Sequence, residues 1–188
     1  MSAVASATAP DVRPQTKPDR SHQVPLPPTS RTVYVTGLAA LNVIGADDWS
    51  GDWHYRTTWF TNVGSLDQRR DAGVALAGEG QCINTNPFLG TLGIRDITHV
   101  LIECGFHPEP GVTPVYAANH LRALADWVYS EVKFRGRPLR VNSEFNQWLG
   151  KEELFQIFHR DYLQPLKAGM TTAELQAFET WQKTIVWD

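Results

Sequence analysis

The chain is poor in cysteine and carries no excess of positive charge. Its 188 residues include two cysteines, Cys82 and Cys104, too few for a disulfide framework or a zinc ribbon. The net charge of −3 argues against a general DNA- or RNA-coating protein, because such proteins depend on clustered lysine and arginine. There is neither an apolar run long enough to span a bilayer nor a secretory signal pattern. We therefore expect no membrane or nucleic-acid partner, and residence in the reducing cytoplasm.

Aromatic residues are missing from the first 30 positions, which instead hold half of the prolines. These are Pro10, Pro14, Pro18, Pro25, Pro27 and Pro28. Such a segment cannot bury enough apolar surface to offset the entropy lost on ordering. The sequence predicts a disordered arm over residues 1–30 and a single globular domain over residues 31–188. The arm is either a dispensable tail or a strap that orders on a partner.

Strand signals dominate the first half of the globular part. Thr32–Thr36 is rich in β-branched and aromatic residues, which is typical of a strand, and a helical turn is predicted at Leu38–Leu41. A further strand is predicted over Trp53–Thr61, and a capping box favours a helix over Leu66–Ala77. The alternation of apolar and polar residues over Ile97–Cys104 predicts another strand.

Helix signals dominate the second half. Apolar residues recur at helical spacing, and the predicted helices are Val115–Lys133, Glu144–Leu149, Lys151–Leu163 and one that begins at a Thr171/Glu174 capping box. A loop is predicted over Asn84–Gly93, between two of the elements in the first half. The sum predicts an α+β fold, with a small sheet from the N-terminal half packed by helices mostly from the C-terminal half.

The densest polar cluster lies around Asp52, Trp53 and His54. On an extended chain Asp52 and His54 point the same way, so they could bind a metal or act as base and orienting residue. The further candidate members are His120, Asp126, His99 and His107. A structural turn is the competing interpretation, because aspartate and glycine are ordinary turn formers. No His-Glu-x-x-His spacing supports a metal site.

Four polar residues are predicted to share one helix: Asn119, His120, Arg122 and Asp126. Arg122 and Asp126 are four positions apart and can pair across one turn. An exposed pair would contribute little to stability. A buried group would instead be a polar network that holds a loop or binds a partner.

Cations and tryptophans are both clustered. Lys133, Arg135, Arg137 and Arg140 occur without an intervening acid, so they could hold a phosphate or an acidic patch, or simply complement a helix end. Seven tryptophans is a high number for this length, and tryptophan is favoured in cores and at interface centres. A tryptophan-rich surface beside a basic loop could form a protein-binding face.

Several short patches together resemble a family. They are Tyr34, Leu38, Ala40–Asn42, Gly51–His54, Ala118–Ala123 and Asn146–Glu153. In these patches the chain resembles small bacterial proteins encoded beside abortive-infection-type nucleotidyltransferase toxins. The proline-rich arm and residues 46–50 depart from that pattern. The resemblance implies an antitoxin that takes part in phage defence by binding its cognate toxin.

An antitoxin of this kind needs an interface. We expect no catalytic residue, no metal and no other cofactor. The candidate partner-binding residues are Asp52, Trp53, His54, Asn119, His120, Arg122, Arg135 and Arg137. The alternative is an enzyme, a hydrolase or metalloenzyme centred on Asp52, His54 and His120. A nucleic-acid-binding regulator fits less well, because the chain is acidic and carries no recognisable helix-turn-helix.

Overall fold

The fold is that of a computed structural model, which describes residues 26–41, 43, 74–103, 111–135 and 152–183. Two predicted elements, the strand over 53–61 and the helix over 144–149, lie outside the described residues, and so does most of the helix predicted over 66–77.

A small mixed sheet organises the described part of the chain. Its strands are Val33–Val35 (β1), Leu76–Gly78 (β2), Ile94–Asp96 (β3) and Tyr116–Ala118 (β4). Their order is β2-β1-β4-β3. The outer pairs are antiparallel, and the central pair of β1 and β4 is parallel, with Val35 opposite Ala117. This central pairing places the first strand directly beside the strand that leads into the core helix.

Most of the helical residues follow the strands. The helices are Gly37–Leu41 (α1), Asn86–Leu89 (α2), Thr98–Glu103 (α3), His120–Ser130 (α4), Glu152–Ile157 (α5), Gln164–Leu166 (α6) and Thr172–Gln182 (α7). Residues Glu131–Arg135 and Phe158–Leu163 are wound as π-helix after α4 and α5, and Lys167–Gly169 is a 3₁₀ turn. The fold is α+β, which confirms the predicted class.

Helix α4 lies at the centre of the core. It packs against α1 and against the π-helical residues 158–163. Leu124 and Val128, four positions apart as predicted for apolar residues of a helix, are completely buried. Neighbours also cover the polar side of the helix, so that every residue from His120 to Asp126 is buried. This enclosure on more than one side makes α4 the element from which the candidate site is built.

Elements with strong local signals form where they are predicted. Strand β1 lies inside the predicted Thr32–Thr36 segment, and α1 covers the predicted turn at Leu38–Leu41. The Thr171/Glu174 capping box is present in full, because each residue's side chain accepts a hydrogen bond from the backbone N–H of the other. Helix α5 and its π-helical continuation cover most of the helix predicted over Lys151–Leu163.

The strand predicted over Ile97–Cys104 is wrong, because residues Thr98–Glu103 form helix α3. The Asp96 carboxylate accepts hydrogen bonds from the backbone N–H and the hydroxyl of Thr98, and so begins the helix. Ile97 and Leu101, four positions apart, are both 1% exposed, whereas Ile102 is 44% exposed. The buried spacing is therefore helical, and a short apolar run of this length fits either state.

One predicted helix start and one predicted helix end are also wrong. The helix expected from Val115 begins at His120, because Tyr116–Ala118 pairs with both β1 and β3. The helix expected to reach Ala77 is replaced at its end by strand β2, which pairs with β1. In both places partners distant in the chain override a local preference. The loop predicted over Asn84–Gly93 contains one helical turn, α2.

Packing against the hydrophobic core begins at or before Leu26, five residues before the domain boundary predicted at Arg31. Leu26 is 7% exposed and belongs to the hydrophobic core. The Thr29 hydroxyl donates to the Pro114 carbonyl and accepts from the Tyr116 N–H, at 3.1 and 2.9 Å. Residues 1–25 lie outside the described residues.

Candidate functional site

A buried ion pair on α4 is the centre of the candidate site. The Nε of Arg122 lies 3.4 Å from Oδ1 of Asp126, one helical turn away, and their side chains are 0% and 1% exposed. Of the two interpretations left open by the sequence, the buried network is the one that forms. Charges removed from water require compensating hydrogen bonds, so the surroundings of each group decide what the pair does.

The Asp126 carboxylate is surrounded by three hydroxyl donors. Tyr34 Oη donates at 3.0 Å to Oδ2, Thr36 Oγ1 donates at 2.8 Å to the same oxygen, and Thr85 Oγ1 donates at 2.5 Å to Oδ1. Burial raises the pKa of Asp126, against the opposing effects of Arg122 and these hydroxyls. Burial, followed by the nearby Asp126 charge, raises the pKa of Tyr34. The carboxylate thus joins α4 to β1 and to the chain before α2.

The Arg122 guanidinium also reaches the loop that carries α2. Its Nη1 donates to the carbonyl oxygens of Gly90 and Leu92 at 3.2 and 3.0 Å, and its Nη2 donates to Oδ1 of Asn86 at 2.8 Å. Its Nε donates to Tyr34 Oη at 3.0 Å. One buried cation therefore fixes three acceptors of the same loop.

This loop, residues 84–93, is tied down at both ends as well. The Asn86 side chain donates to the Thr32 carbonyl at 2.8 Å, next to β1. At the other end the Gly93 carbonyl accepts from the backbone N–H of Asn119 at 2.6 Å. Gly93 has φ +74°, and a Cβ there would lie 2.6 Å from Asn119 Oδ1 and 2.9 Å from Arg122 Cβ. The loop therefore sits against the N-terminal end of α4 too closely for any side chain at position 93.

Asn119 and His120 complete the N-terminal end of α4. The Asn119 side chain caps the helix by accepting from the Arg122 N–H at 2.8 Å, and it donates to Tyr162 Oη at 3.3 Å. The His120 side chain is 4% exposed, and its Nε2 lies 3.2 Å from the Val43 carbonyl oxygen. Burial lowers the pKa of His120, which keeps the imidazole neutral at physiological pH.

The structure brings together three of the residues predicted for partner binding: His120 and Arg122 are buried, and Asn119 is half-buried. Asp52, Trp53, His54 and Arg137 lie outside the described residues. Arg135 ends the π-helix after α4, and only its backbone is described. That Asp52, Trp53, His54, Arg135 and Arg137 contact a partner stays a prediction.

Lys133, the first cation of the basic run, has a partner in α7. Its Nζ donates to Glu174 Oε2 at 2.8 Å and lies 5.7 Å from the centroid of the Tyr129 ring. The hydrogen bond from Lys133 is the main cause that lowers the pKa of Glu174, the residue that also completes the capping box. At this position the basic run joins two helices.

Sequence reasoning missed the hydroxyl and amide members of the network. Tyr34, Thr36 and Thr85 are separated from Asp126 by 92, 90 and 41 positions. A single threonine or asparagine belongs to no sequence pattern that would predict its contact with the Arg122–Asp126 pair. The one usable signal was the four-residue spacing of Arg122 and Asp126, which predicted the pair but not its surroundings.

Within the described residues, no three histidine, cysteine, aspartate or glutamate side chains are grouped so that they could hold a metal ion. Of the two tryptophans in these residues, Trp181 is 1% exposed and belongs to the core, and Trp127 is partly buried against it. The hydrogen bonds of Arg122 hold the loop of residues 84–93 against α4.

No helix among the described residues has both the length and the apolar character to cross a membrane. Comparison of the chain with models of protein families, with curated proteins and with solved structures finds no match in any of the three. The assignment of a function therefore depends on the residues and geometry described above.

Proposed function

We propose that this chain is an antitoxin-like protein that binds a partner nucleotidyltransferase toxin and neutralises it by covering the toxin's nucleotide or RNA site. The observation that carries the proposal is the closed hydrogen-bond network of Arg122 and Asp126. Its charged groups are used within the fold, where they hold a surface loop in one shape. A fixed surface is what a binding protein needs, whereas an enzyme needs reactive groups that substrate can reach.

The residues that carry the family resemblance support the same interpretation. The patch Ala118–Ala123 contains Asn119, which caps α4, and Arg122, which holds the loop. In the proposed function this patch acts through the surface that it supports. The cytoplasm is the expected compartment, because the toxin's nucleotide and RNA substrates are found there.

The test is co-expression of the tagged chain with the open reading frames that neighbour it, followed by mass spectrometry that asks whether a nucleotidyltransferase co-purifies. We expect a stoichiometric complex on affinity purification, and relief of the growth arrest that the toxin causes. A matched control is the same toxin with a tagged, unrelated acidic protein of similar size. Separate elution of the two proteins, with growth arrest unchanged, would refute the proposal.

The alternative proposal, a hydrolase or metalloenzyme, has one observation in its favour. The buried, neutral His120 contacts the Val43 carbonyl, only a few residues before the segment that contains Asp52 and His54. Neutral imidazole is the form that binds a metal. Elemental analysis of the purified chain distinguishes the two functions: an equimolar transition metal, lost in Asp52→Ala and His54→Ala variants that stay folded, would favour the enzyme.

A further inference from the structure

A phenylalanine of α2 lies directly on a glycine far along the chain. The Phe88 ring covers Gly169, the last residue of the 3₁₀ turn, so closely that a Cβ at position 169 would overlap Phe88 Cζ and lie 2.8 Å from both Cε atoms. Gly169 does not have a positive φ, so glycine is required there for space and not for backbone conformation. The same ring packs against Tyr129 of α4, with the ring centroids 5.7 Å apart. Phe88 therefore contacts both α4 and the 3₁₀ turn.

The other end of the loop over residues 84–93 touches the same part of the chain. A Cβ at Gly93 would lie 3.0 Å from Oη of Tyr162, which belongs to the π-helical residues 158–163. Helix α6 and the 3₁₀ turn continue directly from these residues to Gly169. The loop therefore meets residues 158–169 at two points, Phe88 on Gly169 and Gly93 on Tyr162, and at each point a glycine brings backbone against a side chain.

Helix α4 anchors both segments. Arg122 holds the loop by three hydrogen bonds, and the π-helical residues 158–163 pack against α4 with Phe158 and Leu163 completely buried. Protein interiors are close-packed, so a contact at a glycine has little room to absorb a displacement. Movement of either segment away from α4 therefore breaks its contacts with the other.

We infer that the loop over residues 84–93 and residues 158–169 open as one cooperative unit, with the contact of Phe88 on Gly169 as the link between them. Proteins open locally in such units, at free energies below that of global unfolding. Helix α4, which also packs against α1, stays in place when the unit opens. A ligand or a modification that orders one segment thus orders the other, with the same coupling in both directions. The inference concerns the free chain and does not rest on the proposed function.

Native-state hydrogen exchange of the full chain tests the link from the side of the loop. In the wild-type chain we expect the amides of both segments to exchange through a shared opening, with the same dependence on low urea concentration. In Phe88→Ala, exchange should become faster by about tenfold or more in residues 158–169 as well as in the loop, while α4 keeps its rate. The control is Leu76→Ala, at a partly buried position on the edge strand β2, which should leave the exchange of both segments unchanged.

A substitution on the other side of the contact tests the reverse direction. Gly169→Ala adds a Cβ that displaces the Phe88 ring, so exchange in the loop over residues 84–93 should become faster by about tenfold. Ala168→Ser is the matched control, because Ala168 is the exposed neighbour of Gly169. This variant should leave the exchange of the loop unchanged.

Faster exchange of both segments in both variants supports the cooperative unit. An unchanged loop in Gly169→Ala, or unchanged residues 158–169 in Phe88→Ala, would overturn it, because the two segments would then open independently. Equal acceleration of every amide, α4 included, would also overturn it, since the contact would then belong to the global core. So would different urea dependences of the two segments in the wild-type chain.

Discussion

The guanidinium of Arg122 and the carboxylate of Asp126 meet at 3.4 Å inside the protein, one turn apart on α4. Both groups reach the same two parts of the fold. Asp126 accepts from hydroxyls on and beside β1 and from Thr85 in the loop that carries α2. Arg122 donates to Tyr34 on β1 and to carbonyls of the same loop. The pair thus joins the sheet, the central helix and a surface loop.

Removing the cation from this pair should destabilise the protein strongly. In Arg122→Met the buried Asp126 charge loses its counter-ion, which costs about 3–5 kcal/mol of the free energy of unfolding. Urea unfolding of the full chain measures the loss. The control is Arg160→Met, because Arg160 is exposed and pairs with Asp161 at the surface. That variant should unfold at the wild-type urea concentration; equal loss in both would show that burial of Arg122 is unimportant.

His120 should make stability depend on pH. Its pKa is lowered from 6.5 by burial, so the unfolded chain binds the proton more readily than the folded chain. Stability should therefore fall as the pH is lowered below about 6.5, and His120→Gln should show a smaller fall. Unfolding free energies between pH 7.5 and 5.5 measure this difference.

The control for this pH dependence is His99→Gln, at an exposed position on α3. The difference between the two variants isolates what position 120 contributes to the pH dependence. If the stability of His120→Gln varied with pH as that of the wild-type chain does, the His120 imidazole would have the same pKa in the folded and unfolded chain.

Alanine should be tolerated much less at Gly93 than at Gly90. Both glycines have positive φ, +74° and +54°, but a Cβ at Gly93 meets Asn119, Arg122 and Tyr162 within 3.0 Å, whereas a Cβ at Gly90 meets nothing within 4 Å. Both variants incur backbone strain. Overpacking should lower the free energy of unfolding of Gly93→Ala by about 1–3 kcal/mol more than that of Gly90→Ala. Thermal and urea unfolding of the two variants isolate that difference. Equal losses would mean that the loop moves freely away from α4.

The capping box of α7 should be worth about 1 kcal/mol. In Thr171→Ala the helix loses the side chain that accepts from the Glu174 N–H. Thr172→Ala is a close control, because the neighbouring threonine is exposed and does not cap the helix. Urea denaturation should show a loss in the first variant and little change in the second. The reverse order would place the helix start one residue later.

The fold class and the strongest local signals were predictable. Thr171 and Glu174 interact within one turn, and the β-branched and aromatic residues of β1 favour a strand by themselves. Residues 97–104 were predicted wrongly because their alternation is too short to separate strand from helix, and the cap supplied by Asp96 decided the matter.

The candidate site was predictable only in part. Arg122 and Asp126 were identified as a pair, since their spacing is that of a helical turn. Their burial was not decided by that spacing, because the groups that cover them come from residues 34–36 and 84–92.

The sequence by itself therefore determined three features that close within a few residues: the Thr171/Glu174 capping box, the helical spacing of the apolar residues in α4, and the strand character of β1. The tertiary structure decided the strand at Tyr116–Ala118, the enclosure of α4 and the shape of the loop over residues 84–93. The physical reason is the range of the interactions. Backbone pairing and buried hydrogen bonds join residues far apart in the chain, and no local pattern specifies which of them will meet.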